Sequence, residues 1–244
     1  MKNSHLFASA LFVLVLLFTL MVTNAEPEGA SVTNISVTQK NSSAQGSRQD
    51  PKGTITTLAL STIQQNVKWK AYVGNVSGTL VLRDAEDYAI YQWQSGGSPD
   101  GRVYITMNQT IDWSSIICAN ETGIYPFQTG LGHGANAMDN VNNTFSSGLH
   151  QSFQVGDIAI DESSCPTTYT WVNSTAQTPS TTALFQEVLL MDNSFSIVFT
   201  TLMNQDTKGY RNDTGNTTFD FQAIVPDFVG TSTALYYFYV EIEG

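Results

Sequence analysis

Phe185-Gln-Glu-Val-Leu-Leu-Met-Asp-Asn-Ser-Phe-Ser-Ile-Val-Phe-Thr-Thr-Leu202 decides how this chain is read. It holds two apolar runs of strand length, Phe185–Leu190 and Phe195–Leu202, with turn-forming Asp192 and Asn193 between them. In the second run Phe195, Ile197 and Phe199 stand at alternate positions, so an extended backbone points them to one side. The same signature recurs outward in both directions. Lys68–Val73 places Trp69, Ala71 and Val73 on one face, and Gly78–Leu82 follows after Gly74-Asn75-Val76-Ser77, which predicts a hairpin. Tyr88–Gln94 precedes a breaker cluster, Ser95–Gly101, and Arg102–Met107 resumes the extended pattern. Further strands are expected at His150–Val155, Thr168–Val172, Phe219–Val225 and Leu235–Ile242. Helical periodicity is scarce; Ser61–Asn66 has room for one short turn. Short strands separated by Gly, Asn, Asp and Pro predict an all-β fold, an antiparallel β-sandwich of Ig-like or jelly-roll-like form.

The first residues speak about location. Met1-Lys2 is followed by an almost unbroken apolar stretch, Leu6–Val22, and then by Thr23-Asn24-Ala25 and the polar Glu26-Pro27-Glu28-Gly29. That is the pattern of a signal peptide over residues 1–25, and it predicts a secreted, extracellular or cell-surface protein. Left uncleaved, the same segment would tether the domain to a membrane, the one membrane contact the sequence suggests. Residues 26–53 read as a Ser/Asn-rich tether containing one candidate strand, Val32–Thr38. Residues 54–244 read as the β-sandwich domain, with an insertion at about 114–180 rich in Gly, Asn, Ser and Thr. Within it, Gly123–Asn143 reads as a long loop.

Composition agrees with export. Only 13% of the 244 residues are charged, and Ser with Thr make up about a fifth, so hydroxyls and amides wet much of the surface. Ten Lys and Arg against 21 acids give a net charge of −11 and a pI near 4.4, which disfavours nucleic acid and anionic lipid as partners. The two cysteines, Cys118 and Cys165, form an even set and predict a disulfide. It would close a loop of about 48 residues, worth ~4 kcal/mol in the chain-entropy picture. Nine Asn-x-Ser/Thr sequons mark N-glycosylation candidates at Asn34, Asn41, Asn75, Asn108, Asn120, Asn142, Asn173, Asn212 and Asn216. A glycan needs an acceptor amide in water, and most of these positions sit among turn formers.

Catalytic patterns are absent: no Gly-x-Ser-x-Gly, His-Glu-x-x-His, phosphate loop or dinucleotide fingerprint occurs. His133 lies between glycines and reads as a turn residue; His150, near Leu149 and Phe153, reads as a partly buried strand residue. Neither supports a nucleophilic triad. Acids gather at Asp84-Ala-Glu86-Asp87 and at Asp157, Asp161 and Glu162, where turn and solvent roles outweigh a glycosidase pair. These acids, with Asp139, Asn140 and Asn142, offer hard oxygens to calcium but do not fit the twelve-residue calcium loop; no cofactor is expected. Trp69, Tyr72, Tyr88, Tyr91, Trp93, Tyr104, Trp113, Tyr125, Tyr169, Trp171 and Tyr236–Tyr239 supply core, and any exposed ones supply stacking surfaces for sugar rings.

Two blocks, Trp69–Leu82 with Tyr88–Trp93, and Thr218–Asp227 with Tyr236–Glu241, resemble a group of secreted archaeal surface proteins of unassigned activity. The resemblance implies an archaeal, extracellular, all-β protein and brings no catalytic residues. The expectation is a non-enzymatic secreted or cell-surface structural or interaction glycoprotein. Its partners would be other copies, through exchange of the strand at Val32–Thr38, or other surface proteins. The alternatives are a carbohydrate- or partner-binding module that takes polysaccharide and, behind it, a secreted hydrolase.

Overall fold

The computed structural model describes residues 28–29, 68–76, 79–83, 89–94, 101–211, 217–230, 232 and 234–242, with 28–29, 79–83 and 89–94 described as backbone alone. The leader 1–25, the candidate strand Val32–Thr38, the turn at Ser61–Asn66 and the acids Asp84–Asp87 lie outside them. In chain order the strands are β1 (Glu28–Gly29), β2 (Trp69–Gly74), β3 (Thr79–Arg83), β4 (Ala89–Gln94), β5 (Gly101–Thr106) and β6 (Ile117–Cys118). After helices α1 (Glu121–Gly130) and α2 (Val141–Thr144) come β7 (Phe153–Val155), β8 (Ile158–Ile160), β9 (Thr167–Tyr169), β10 (Gln186–Met191) and β11 (Ile197–Leu202). The chain closes with β12 (Thr207–Lys208), β13 (Thr218–Phe219), β14 (Phe221–Pro226) and β15 (Tyr237–Ile242).

The fold is an all-β antiparallel sandwich. Its main sheet runs β1-β15-β5-β11-β10-β6, with β9 also on β10. Both faces of this sheet are covered, because apolar side chains occupy both parities of its central strands. One face carries Val103, Ile105, Leu189, Met191, Ile197 and Phe199, and packs under Ala223 and Val225 of β14, Ile124 of α1, and Val141 and Phe145. The other carries Tyr104, Val188, Leu190, Val198 and Leu202, and packs under Trp113, Phe153, Val155 and Ile160. The β2–β14 ribbon with the two helices forms one outer layer, and the β7–β8 hairpin forms the other.

Three local expectations need correction. The hairpin across Gly74–Ser77 does not form: β2 pairs along its whole length with β14, Trp69 opposite Pro226 and Gly74 opposite Phe221, while β3 pairs with β4. Buried Asp220 explains the switch. Its Oδ2 accepts from Val76 N at 2.7 Å, and its backbone N donates to Gly74 O at 3.0 Å and to Asn75 Oδ1 at 3.2 Å. The chain leaving β2 is therefore captured by the start of β14, and a local turn signal loses to a distant carboxylate.

Phe195 does not share the face of Ile197 and Phe199. Asp192 folds the β10–β11 connection by accepting from Ser194 N at 2.8 Å and Ser196 N at 2.9 Å through Oδ1, which puts Phe195 at φ 61° and half in solvent. The segment Gly123–Asn143 is not all loop, since α1 and α2 occupy much of it. Asn120 caps α1 by accepting from Thr122 N and Gly123 N, and Asn140 caps α2 by accepting from Asn143 N. Three glycine or proline positions, Gly123, Pro126 and Gly130, hide α1 from propensity reasoning.

Candidate functional site

The predicted disulfide is present: Cys118 and Cys165 are bonded, with Cα atoms 4.9 Å apart. It sits at a seam. β6 pairs with Leu190 and Met191 of β10, and β9 pairs with Gln186–Val188 on the same side of the same strand. Two short pieces, distant in sequence, thus lie end to end as one composite strand, and the disulfide joins them where Leu189 N donates to Pro166 O and Ala119 N donates to Leu189 O.

His150 braces that seam. It is fully buried; one ring nitrogen, Nδ1, lies 2.8 Å from Gln151 O and the other, Nε2, accepts from Ser164 N at 3.1 Å and Cys165 N at 2.9 Å. Nδ1 therefore carries the proton. Burial pushes the imidazole down from its ordinary value, against the Gln151 carbonyl and the Glu162 charge, which push it up. His133 is also buried, with Nε2 2.9 Å from Asp227 O and Trp69 edge-on at 5.9 Å. Both histidines serve the backbone.

The oxygen donors weighed for calcium do not converge. Asp139 pairs with Lys68 at 2.7 Å, and Asn140 uses its amide on Gly134 O and Ala135 O. Asp157, Asp161 and Glu162 are exposed at the β7–β8 hairpin and the turn after it. Among the described residues no group of three His, Cys, Asp or Glu stands ready for a metal. Besides Asp220, sequence reasoning missed a second buried acid: Glu187 is fully buried between the main sheet and β14, where Oε2 accepts from Ile224 N at 2.9 Å. Burial pushes its carboxyl well above the ordinary value. No periodicity could flag it, because its strand is covered on both faces.

Among the described residues two surfaces stand out for interaction. The first is the outer edge of β15. β5 pairs with all of β15, from Tyr237 opposite Thr106 to Ile242 opposite Gly101. On the other side β1 covers only Val240, opposite Glu28, and Tyr239, opposite Gly29. The edge is rigidly held. Glu241 bonds Arg102 at 3.1 Å, accepts the Tyr104 hydroxyl, and accepts Gly156 N at 3.1 Å from the β7–β8 turn; Tyr239 donates to Gln109 O at 2.6 Å.

The second surface is an aromatic ledge. Trp171 is 56% exposed and Tyr210 43%. Buried Gln222 of β14 ties their loops together: Nε2 donates to Thr170 Oγ1 and Trp171 O, and Oε1 accepts from Tyr210 N at 2.8 Å. Tyr210 stacks on Phe219, rings 6.2 Å apart and 12° from parallel. Of the other aromatics, Tyr104, Trp113 and Tyr236 are buried, Tyr125 is exposed at 38%, and Trp69, Tyr72, Tyr169 and Tyr237–Tyr239 are intermediate. Tyr88 and the side chains of Tyr91 and Trp93 lie outside the described residues.

The sequons sort by environment. Asn75, Asn108, Asn120 and Asn173 are exposed and Asn142 is half-buried in α2; Asn34, Asn41, Asn212 and Asn216 lie outside the described residues. Among the described residues no helix is long and apolar enough to cross a membrane. No family model matches this sequence, and neither a curated protein nor a solved structure matches it.

Proposed function

We propose that this chain is a secreted or cell-surface glycoprotein with a structural or interaction role, and that copies associate by exchanging their N-terminal strand. The observation that carries the reading is β1. Two residues just past the expected leader add to the edge of β15, separated from the rest of the body by residues 30–67. Backbone pairing is indifferent to which copy supplies the strand.

The energetics make exchange accessible. Each net backbone hydrogen bond contributes about 0.5–1.5 kcal/mol, and β1 is only two residues long. Bringing together the ends of a chain segment the length of residues 30–67 costs on the order of 3 kcal/mol. Self-pairing is therefore held weakly, and a neighbour's edge competes once local concentration approaches the effective concentration of the tethered arm. The expectation of exchange centred on Val32–Thr38 moves, in this reading, to the arm that begins at Glu28.

The test is a chain lacking residues 26–40, followed by light scattering over a range of concentrations. The intact mature chain is expected to show concentration-dependent multimers and the shortened chain to run as a monomer. Multimers of unchanged size without the arm would overturn the proposal. The alternative, a carbohydrate- or partner-binding module, draws on the ledge. Polysaccharide retention abolished by Trp171→Ala, with assembly unchanged, would favour it instead.

A further inference from the structure

We propose that Asn173 carries an N-linked glycan, and that its first sugar packs on the exposed ring of Trp171, with Tyr210 as the neighbouring aromatic. The proposal rests on the reading of the chain as an exported glycoprotein and names one modification site with its intramolecular binding surface.

The argument starts from the turn. Val172 and Thr175 bond each other in both directions, Val172 N to Thr175 O at 3.0 Å and Thr175 N to Val172 O at 2.9 Å. Between them Asn173 and Ser174 both take left-handed backbone, φ 51° and 59°, the signature of a type I′ turn. Asn tolerates that region better than other non-glycine residues. The tip is clamped to the next loop by Asn173 N to Gly209 O at 2.9 Å and Ser174 N to Tyr210 O at 2.6 Å. The backbone of the acceptor site is thus satisfied and fixed, while the Asn173 carboxamide makes no hydrogen bond among the described residues and stands in water.

The other described sequons are less well presented. Asn75 accepts from Asp220 N through its side chain, Asn120 caps α1, and Asn142 is half-buried in a helical turn. Asn108 is exposed but has no exposed aromatic within five residues. Asn173 alone among them follows a half-bare tryptophan by two residues. An indole face in water is unfavourable, and the C–H face of a pyranose is a suitable cover for it. The platform is preorganised by Gln222, so covering it requires little further ordering.

The experiment secretes the full chain from a host with N-glycosylation machinery and maps every sequon by intact-glycopeptide mass spectrometry. Oxidation of Trp171 by N-bromosuccinimide is then followed by peptide mapping. The wild type is compared with Thr175→Ala, which removes the sequon but keeps Asn173, and with enzymatically deglycosylated protein. Gln is avoided at 173 because the left-handed backbone would strain it. The expected result is high occupancy at Asn173 and at least fivefold faster Trp171 oxidation once the sugar is absent. Occupancy at other sequons with Asn173 bare would overturn this inference and leave the glycoprotein reading intact. A chain bare at every sequon would overturn both. An occupied Asn173 with unchanged Trp171 reactivity, or soluble oligosaccharide binding at Trp171 in the glycosylated protein, would overturn the packing of sugar on the ledge.

Discussion

Glu187 places a carboxyl group where water does not reach, with one backbone N–H as its hydrogen-bond donor. Its raised value means the folded state holds the proton more tightly than the unfolded chain does. Its stabilising contribution is complete below about the ordinary 4.5 and is lost as pH climbs through the folded value. Glu187→Gln should therefore match the wild type near pH 4.5 and melt about 2–4 °C higher above pH 7, a shift of about 1 kcal/mol for a domain of this size; thermal scans across pH check it. His150 has the opposite sign. Its lowered value means the unfolded chain binds the proton more readily, so its contribution is present above about 6.5 and is lost as pH falls. His150→Ala strands Cys165 N, a buried donor, and frees the part-buried Ser164 N to water; it should cost about 1–3 kcal/mol in denaturant titrations, the range for one buried unmatched donor. The variant should also lose the acid-side slope. The cysteine pair could be read from the sequence because an even count of two, after an expected leader, leaves one pairing. Glu187 could not, because an acid near the start of an apolar run reads as a solvent position until the second covering layer is known.

At the scale of elements, most strands of the main sheet could be read and several of their partners could not. Arg102–Met107, Phe195–Leu202 and Leu235–Ile242 each fall within a few residues of β5, β11 and β15, because apolar content over strand length is a local property. The partnership of β2 with β14 is not local. It depends on Asp220, more than a hundred residues from Gly74. Helix α1 escaped because its stability comes from an Asn cap and from Ile124 packing on the sheet, neither visible in propensity. The composite strand made by β6 and β9 yields a further prediction. Cys118→Ser with Cys165→Ser should cost about 2–5 kcal/mol. Amide exchange should then rise first at Ile117–Ala119 and Cys165–Tyr169, while β5 and β11 stay protected. Uniform loss across all strands would show that the seam is not a separate unit.

For the molecule as a whole, the two buried groups set a pH window. Stability from His150 falls below about 6.5 and stability from Glu187 falls above about 4.5, so the melting temperature should peak between these values. Self-repulsion from a net charge of −11 at pH 7 pulls in the same direction as Glu187. Calorimetry at fixed ionic strength from pH 4 to 9 checks this; a maximum above pH 7 would count against it. The sheet as a whole also has an order of arrival. β1 belongs to the beginning of the chain and its place on Tyr239 and Val240 to the end, so a molecule threaded through a membrane from its front presents the guest long before the host exists. In that interval the guest is free to compete for the edge of a finished neighbour, whose own two-residue strand holds its place by few backbone bonds. Under the proposed export, crowded export sites should then yield linked copies, while dilute refolding from denaturant should yield closed singles, and the quaternary state would record the manner of synthesis.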